Sequence, residues 1–174
     1  SFEKLTLLKN KVKEIVDEKQ LKNDPKIIVV TKTFSLNKII PLLDSGHIHF
    51  GENKVQEAVE KWTDIKNDFK NIKLHMIGKL QTNKVKYVVP LFDYIHSVDN
   101  LKLAEKISQQ QVKNNKIMKL FIQINIGNEK QKNGILVEDL DNFYSTCTQD
   151  LGLKIIGLMC LPPIDSNSQE YFKL

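Results

Sequence analysis

The sequence predicts an α/β protein in which parallel strands alternate with helices. Six short runs rich in Ile, Val and Leu are separated by segments of helical periodicity. No run is joined to the next by a hairpin turn. Strands that follow one another through helices lie parallel, with right-handed crossovers. Two closures satisfy this pattern: an open doubly wound sheet or a (β/α) barrel. No G-x-G-x-x-G and no P-loop pattern follows any strand.

The elements read in order as follows. Phe2, Leu5, Leu8, Val12, Ile15 and Val16 form a helical stripe behind a Ser1 cap. Ile27 to Thr33, preceded by Pro25, is an unbroken apolar run expected to be a strand covered on both faces. Ser35 caps a helix through Ile39, Ile40, Leu42 and Leu43, interrupted by Pro41 and closed by Gly46. His47 to Phe50 is a short second strand, and the next helix turns Val55, Val59 and Trp62 inward. Ile72 to Ile77 is the third strand, Gln81 to Val89 a short helix, and Tyr94 to Val98 the fourth strand. Asn100 begins a helix through Leu103, Ala104 and Ile107. Met118 to Ile126 is the fifth strand, followed by a polar loop from Gly127 to Gly134 and a helix over Val137 to Thr146. Leu153 to Met159 is the sixth strand, and Leu161-Pro162-Pro163 leads to a helical start near Ser168.

Composition narrows the function classes. At 174 residues, with 41% hydrophobic and 27% charged residues, the chain reads as one globular domain with a core. No apolar stretch approaches the roughly 20 residues that span a bilayer. The first twenty residues mix Lys and Glu, so no signal peptide is expected. Cys147 and Cys160 lack metal-type spacing and read as free thiols in a reducing, cytoplasmic setting. The net charge is +5, yet all 26 basic residues are lysine and are interspersed with acids. Specific nucleic-acid recognition leans on the bidentate arginine fork, so none is expected.

One residue stands out chemically. Lys32 ends the first strand, and alternation puts it on the face of Ile28 and Val30. Its stem is expected to pack while its amine sits at the carboxyl edge of the sheet, where α/β folds build sites. A desolvated lysine amine is a usable nucleophile for a Schiff base. The competing reading is a lysine that snorkels into water.

Several strand ends, taken in order, carry a family resemblance. Val29-Val30-Thr31-Lys32-Thr33, Phe50 to Glu57, His75 to Lys84 and His96 to Asp99 are followed by Gln123-Ile124-Asn125 and Gly157-Leu158-Met159. This set resembles the pyridoxal phosphate homeostasis proteins of the YggS/PROSC type, which share the barrel of the alanine racemase N-terminal domain. The resemblance runs from the first helix to about Pro163. It implies a (β/α)8 TIM barrel of that type, here lacking the last two βα units, as a single pyridoxal 5′-phosphate (PLP)-binding domain over residues 1–174. It implies that Lys32 holds PLP as a Schiff base, that Asn53 and Met159 lie beside the cofactor, and that His75 and the Gln81–Lys84 segment share the same rim. It further implies a role in intracellular PLP homeostasis, as a monomeric carrier without turnover, with PLP-dependent apoenzymes as candidate partners.

Each assignment has a plainer alternative. Asn53 could be the N-cap of the helix from Val55, Met159 a core residue, His75 a satisfied core histidine, and Asn83 and Lys84 a solvated face. The loop from Gly127 to Gly134 reads as a mobile rim loop whose Lys130 or Lys132 could reach anions. The family's serine/glycine-rich phosphate cradle and Arg-Ile-Gly segment belong to the two further units, so the chain is expected to be C-terminally incomplete, with open edges on strands one and six. Three rival functions remain. One is a weak PLP-dependent racemase or lyase. Another is a metal-dependent hydrolase using His47 and His49, which as i and i+2 strand residues could share one ion. The third is a structural fragment without ligand.

Overall fold

The computed structural model describes residues 2–127 and 133–162. Lys130, Lys132, Pro163 and the helix expected near Ser168 lie outside the described residues. Six parallel strands pair strictly in chain order: β1 (Val29–Val30), β2 (His49–Glu52), β3 (Lys73–Met76), β4 (Tyr94–Val98), β5 (Lys119–Ile124) and β6 (Ile155–Cys160). Every connection passes through helix: α2 (Leu36–Asp44), α3 (Val55–Trp62) with the single turn α4 (Ile65–Asp68), α5 (Val85–Leu91), α6 (Leu101–Asn114) and α7 (Leu140–Ser145). The N-terminal helix α1 (Phe2–Glu18) precedes β1. Sequential order in one direction of travel is the wall of a barrel rather than a doubly wound sheet, in which the order reverses.

Local signals explain most boundaries. Gly46 takes φ +78° and closes α2 by donating to the carbonyl of Leu43, a turn that a residue with a Cβ enters at a cost. Asn100 caps α6 by accepting from the amide of Leu103 at 2.9 Å. Pro41 and Pro90 sit inside α2 and α5, so Pro41 does not divide its helix as the sequence suggested. Ser35 occupies the N-cap of α2 without a side-chain bond. The helix expected over 137–146 begins as a tight 3₁₀ turn, Val137–Asp139, and ends in a π turn, Thr146–Asp150.

The core lies between the sheet and its helices. Val29, Phe50, Leu74, Met76, Ile95 and Leu120 point outward from the strands onto Leu43, Trp62, Val88, Ile107 and their neighbours. Each such side chain contributes about 1.5–3 kcal/mol by leaving water, so this layer carries the fold. The alternate residues form the inner face. A Cβ on Gly51 would lie 3.0 Å from the Ile28 side chain and 3.1 Å from that of Ile77, which puts all three there.

The expectation that the first strand is covered on both faces fails. Val29 packs against the core, but Ile28 is half-buried and Val30 is 39% exposed. Among the described residues β1 pairs with β2 alone. The run is also shorter as strand than its apolar length, because ladder pairing with β2 starts only at Val29.

A close approach of two strand ends fixes the geometry at the carboxyl rim. A Cβ on Gly78 would fall 2.3 Å from the Asn53 carbonyl oxygen and 2.7 Å from its Cα. Gly78→Ala should therefore push the β2 and β3 ends apart and destabilise the chain by about 1–3 kcal/mol in urea denaturation. A change below about 0.5 kcal/mol would contradict this packing.

Candidate functional site at the carboxyl rim

Lys32 follows β1 in a four-residue turn closed by the Phe34 amide donating to the Thr31 carbonyl at 3.1 Å. Thr31 continues the ladder, its amide donating to the Gly51 carbonyl at 2.9 Å, while its hydroxyl turns outward to donate to Glu52 Oε1 at 2.7 Å. Alternation then starts Lys32 on the inner side. Thr33 takes φ +65°, which is unusual for a β-branched residue and persists only where surrounding bonds over-determine it. Lys32 is exposed, so the expected packing of its stem against Ile28 and Val30 is not found. Val30, on the same side of β1, is exposed as well, so that side offers the stem little to pack against.

What holds this turn is a buried polar cluster that the sequence reading passed over. Glu52 is fully buried and its Oε1 receives three donors: the Thr31 hydroxyl, the Lys61 amine at 2.9 Å and the Trp62 indole N–H at 2.9 Å. Lys61 also donates to the Thr31 carbonyl at 2.8 Å and to Glu57 Oε1 at 2.9 Å. Glu57 in turn accepts the Thr33 amide. That bond to Lys61, the largest cause, holds the Glu57 carboxyl below its ordinary range. The spacing Glu57/Lys61 is an i,i+4 pair on α3, the one signal in the sequence that could have found it.

Asn53 is the first residue past β2. It is not the cap of α3: Lys54 takes that position with extended backbone and no side-chain bond. The Asn53 side-chain oxygen is buried and has no hydrogen-bond partner among the described residues. An orphaned acceptor of this kind costs about 1–3 kcal/mol, and a ligand N–H or O–H would remove that penalty. Beside it a cleft of about 390 Å³ is lined by Lys54, Gln56, Lys79, Gln81 and Lys84, among others. Lys79 donates to the Asn133 side-chain oxygen at 2.7 Å, tying the rim after β3 to the far end of the loop after β5. Met159 is half-buried on β6 and pairs in register with Gln123 of β5. Another cleft, about 420 Å³ and lined by residues including Lys9, Asp17 and His47, lies at the amino ends of β1 and β2, away from this rim.

His75 lies deeper on the inner face, in a chain of imidazoles. Its Nε2 meets His49 Nδ1 at 2.9 Å and its Nδ1 meets His96 Nε2 at 2.9 Å. It stacks on Tyr94 with ring centroids 4.2 Å apart, and His96 stacks on Phe121 at 4.3 Å. Both nitrogens of His75 are thus committed to other histidines, which leaves it a packing surface below the rim. Each contact holds one proton, so with three neutral rings the protons run in one sense along the chain. Burial, then the neighbouring His96 and His49, push His75 down to about 3, and burial pushes His96 down to about 4.

His47 and His49 do not converge on a common point. His47 Nε2 contacts the His49 carbonyl at 2.8 Å and its ring meets Phe50 edge-on, while His49 joins the imidazole chain. β2 begins only at His49, so strand alternation does not govern the pair. Among the described residues no group of three or more His, Cys, Asp or Glu could hold a metal ion. Both cysteines are unpaired, and burial raises the Cys147 thiol to about 11.

Residues 5–173 match the family model of the alanine racemase N-terminal domain. A pyridoxal phosphate homeostasis protein of Aquifex aeolicus is 34% identical over 154 residues, covering 87% of this chain and 67% of that protein. Its Escherichia coli K12 counterpart is 32% identical, covering 85% and 64%. The chain thus spans about two thirds of the length of these curated relatives. Among solved structures, PipY of Synechococcus elongatus with PLP bound is 30% identical with a TM-score of 0.74, covering 91% of this chain and 74% of PipY.

The imidazole chain sets a pH dependence. With folded-state values near 3 and 4 against an ordinary 6.5, the unfolded chain binds protons that the folded one refuses. Stability should hold above pH 6.5 and fall as pH drops from 6.5 towards 4. Thermal unfolding across that window should show the loss, with a shallower slope for His96→Phe. An unchanged slope in that variant would remove the buried histidines as its cause.

Proposed function

The chain belongs to the pyridoxal phosphate homeostasis proteins, within the alanine racemase N-terminal domain family, and on that premise we propose that it binds PLP through Lys32 and serves PLP homeostasis. The observation that supports this best is one juxtaposition: an exposed lysine on an anchored turn, at the same strand-end rim as a buried Asn53 oxygen without a partner. That is the chemistry a carbonyl cofactor needs, an accessible amine and an acceptor for one of its donors. PLP supplies an aldehyde with which a neutral primary amine condenses, releasing water.

The remaining roles follow from position. Lys32 holds the group covalently. Asn53 accepts a hydrogen bond from it, Met159 packs against it from β6, and His75 contributes the apolar floor through its ring face rather than a nitrogen. The resemblance assigns the phosphate cradle to two further βα units, and the residues named here form the aldehyde end of the site. The reading is of a carrier that hands PLP to apoenzymes in the cytoplasm, where unpaired thiols such as Cys147 and Cys160 persist.

Incubating the chain with PLP, reducing with borohydride and mapping peptides tests the assignment. The adduct should concentrate on the peptide bearing Lys32 and vanish in Lys32→Ala. Labelling spread evenly over the lysines, or unchanged in that variant, would refute it. Saturable, Lys32-dependent consumption of an amino acid would replace the carrier reading with an enzymatic one.

A further inference from the structure

The geometry points to Glu57 and the Glu52–Lys61 pair as positioning residues that fix the Lys32 turn and thereby set how well its amine meets an aldehyde. This rests on the reading of Lys32 as the PLP-bearing residue. The turn is clamped on both sides of Lys32. Before it, Thr31 gives its hydroxyl to Glu52, receives Lys61 at its carbonyl and gives its amide to Gly51. After it, the Thr33 amide goes to Glu57 and the Phe34 amide returns to Thr31. Lys61 joins the two sides, because it touches Thr31, Glu52 and Glu57 together.

Two features show that this is more than ordinary packing. Thr33 is held at φ +65°, which a threonine adopts only under constraint, and the hydrogen bond its backbone N–H donates to Glu57 is part of that constraint. Lys32 is exposed, so its own stem does not fix its direction. A lysine side chain samples many rotamers, and holding its backbone confines the region its amine sweeps before the ligand arrives.

Glu57 offers a test that spares the core, since its carboxylate is not part of the buried layer. In Glu57→Ala the Thr33 amide should exchange with solvent roughly tenfold faster, and the PLP concentration for half-maximal trapping at Lys32 should rise roughly tenfold. Glu57→Gln keeps an acceptor oxygen and should restore most of both. Removing Lys61 alone would strand the buried Glu52 charge and could unfold the chain. The double variant Glu52→Gln/Lys61→Met removes both charges and should show the same paired effects. Unchanged Thr33 exchange in Glu57→Ala and the double variant overturns the clamp. Faster exchange with trapping at Lys32 within twofold of wild type overturns its positioning role. If the unaltered chain traps no PLP at Lys32, the underlying reading fails instead, and amide exchange alone then decides whether the clamp exists.

Discussion

The carboxyl rim depends on one buried ion pair, Lys61 with Glu52. Its energy is not what matters most. Two charges withdrawn from water regain little more than the cost of dehydrating them, and well-packed apolar residues often serve stability as well. What the pair supplies here is position. A single oxygen of Glu52 collects donors from the end of β1 and from two successive residues of α3, and the Lys61 amine passes on to the Thr31 carbonyl and to Glu57. The ends of β1 and β2, already joined by their ladder, are thereby tied through side chains to α3 in one arrangement.

From that arrangement the rest of the site follows in layers. Phe50, Leu74, Ile95 and Leu120 on the outer faces of β2 to β5 are buried in an apolar layer that carries the stability of the sheet. The inner face is built differently, with stacked aromatic rings and three hydrogen-bonded imidazoles in its middle. His75, in the middle, has both ring nitrogens taken by its neighbours, so it presents a ring rather than a free nitrogen to anything above it. Reactive groups are left to the rim, where Lys32 is exposed and Asn53 keeps a buried oxygen without a partner. Gly78, pressed against the Asn53 backbone, sets where that oxygen lies.

Much of the fold was legible because its signals are local. Apolar runs broken by helical periodicity identify six strands, and Gly46 and Asn100 mark helix ends through their own backbone and side-chain chemistry. The rim was legible through strand ends, since a lysine closing an apolar run has few places to be. Three things were not. The exposure of Lys32 depends on what lies across the sheet, which an apolar pattern along one strand does not report. The imidazole chain joins residues 26 and 21 positions apart, and no periodicity links His49, His75 and His96. The Glu52–Lys61 clamp is half local and half long-range: the i,i+4 pair Glu57/Lys61 is visible on α3, but its reach to Thr31 needs the β1–β2 register.

The most direct test of the whole account is a crystal structure of the PLP-treated chain. Continuous density from Lys32 Nζ to the ligand, with the Asn53 side-chain oxygen within hydrogen-bond distance of it and Lys61 still bridging Glu52 to Thr31, is the expected result. Ligand joined to another lysine, or a Thr31–Phe34 turn that rearranges while the ligand stays on Lys32, would contradict it.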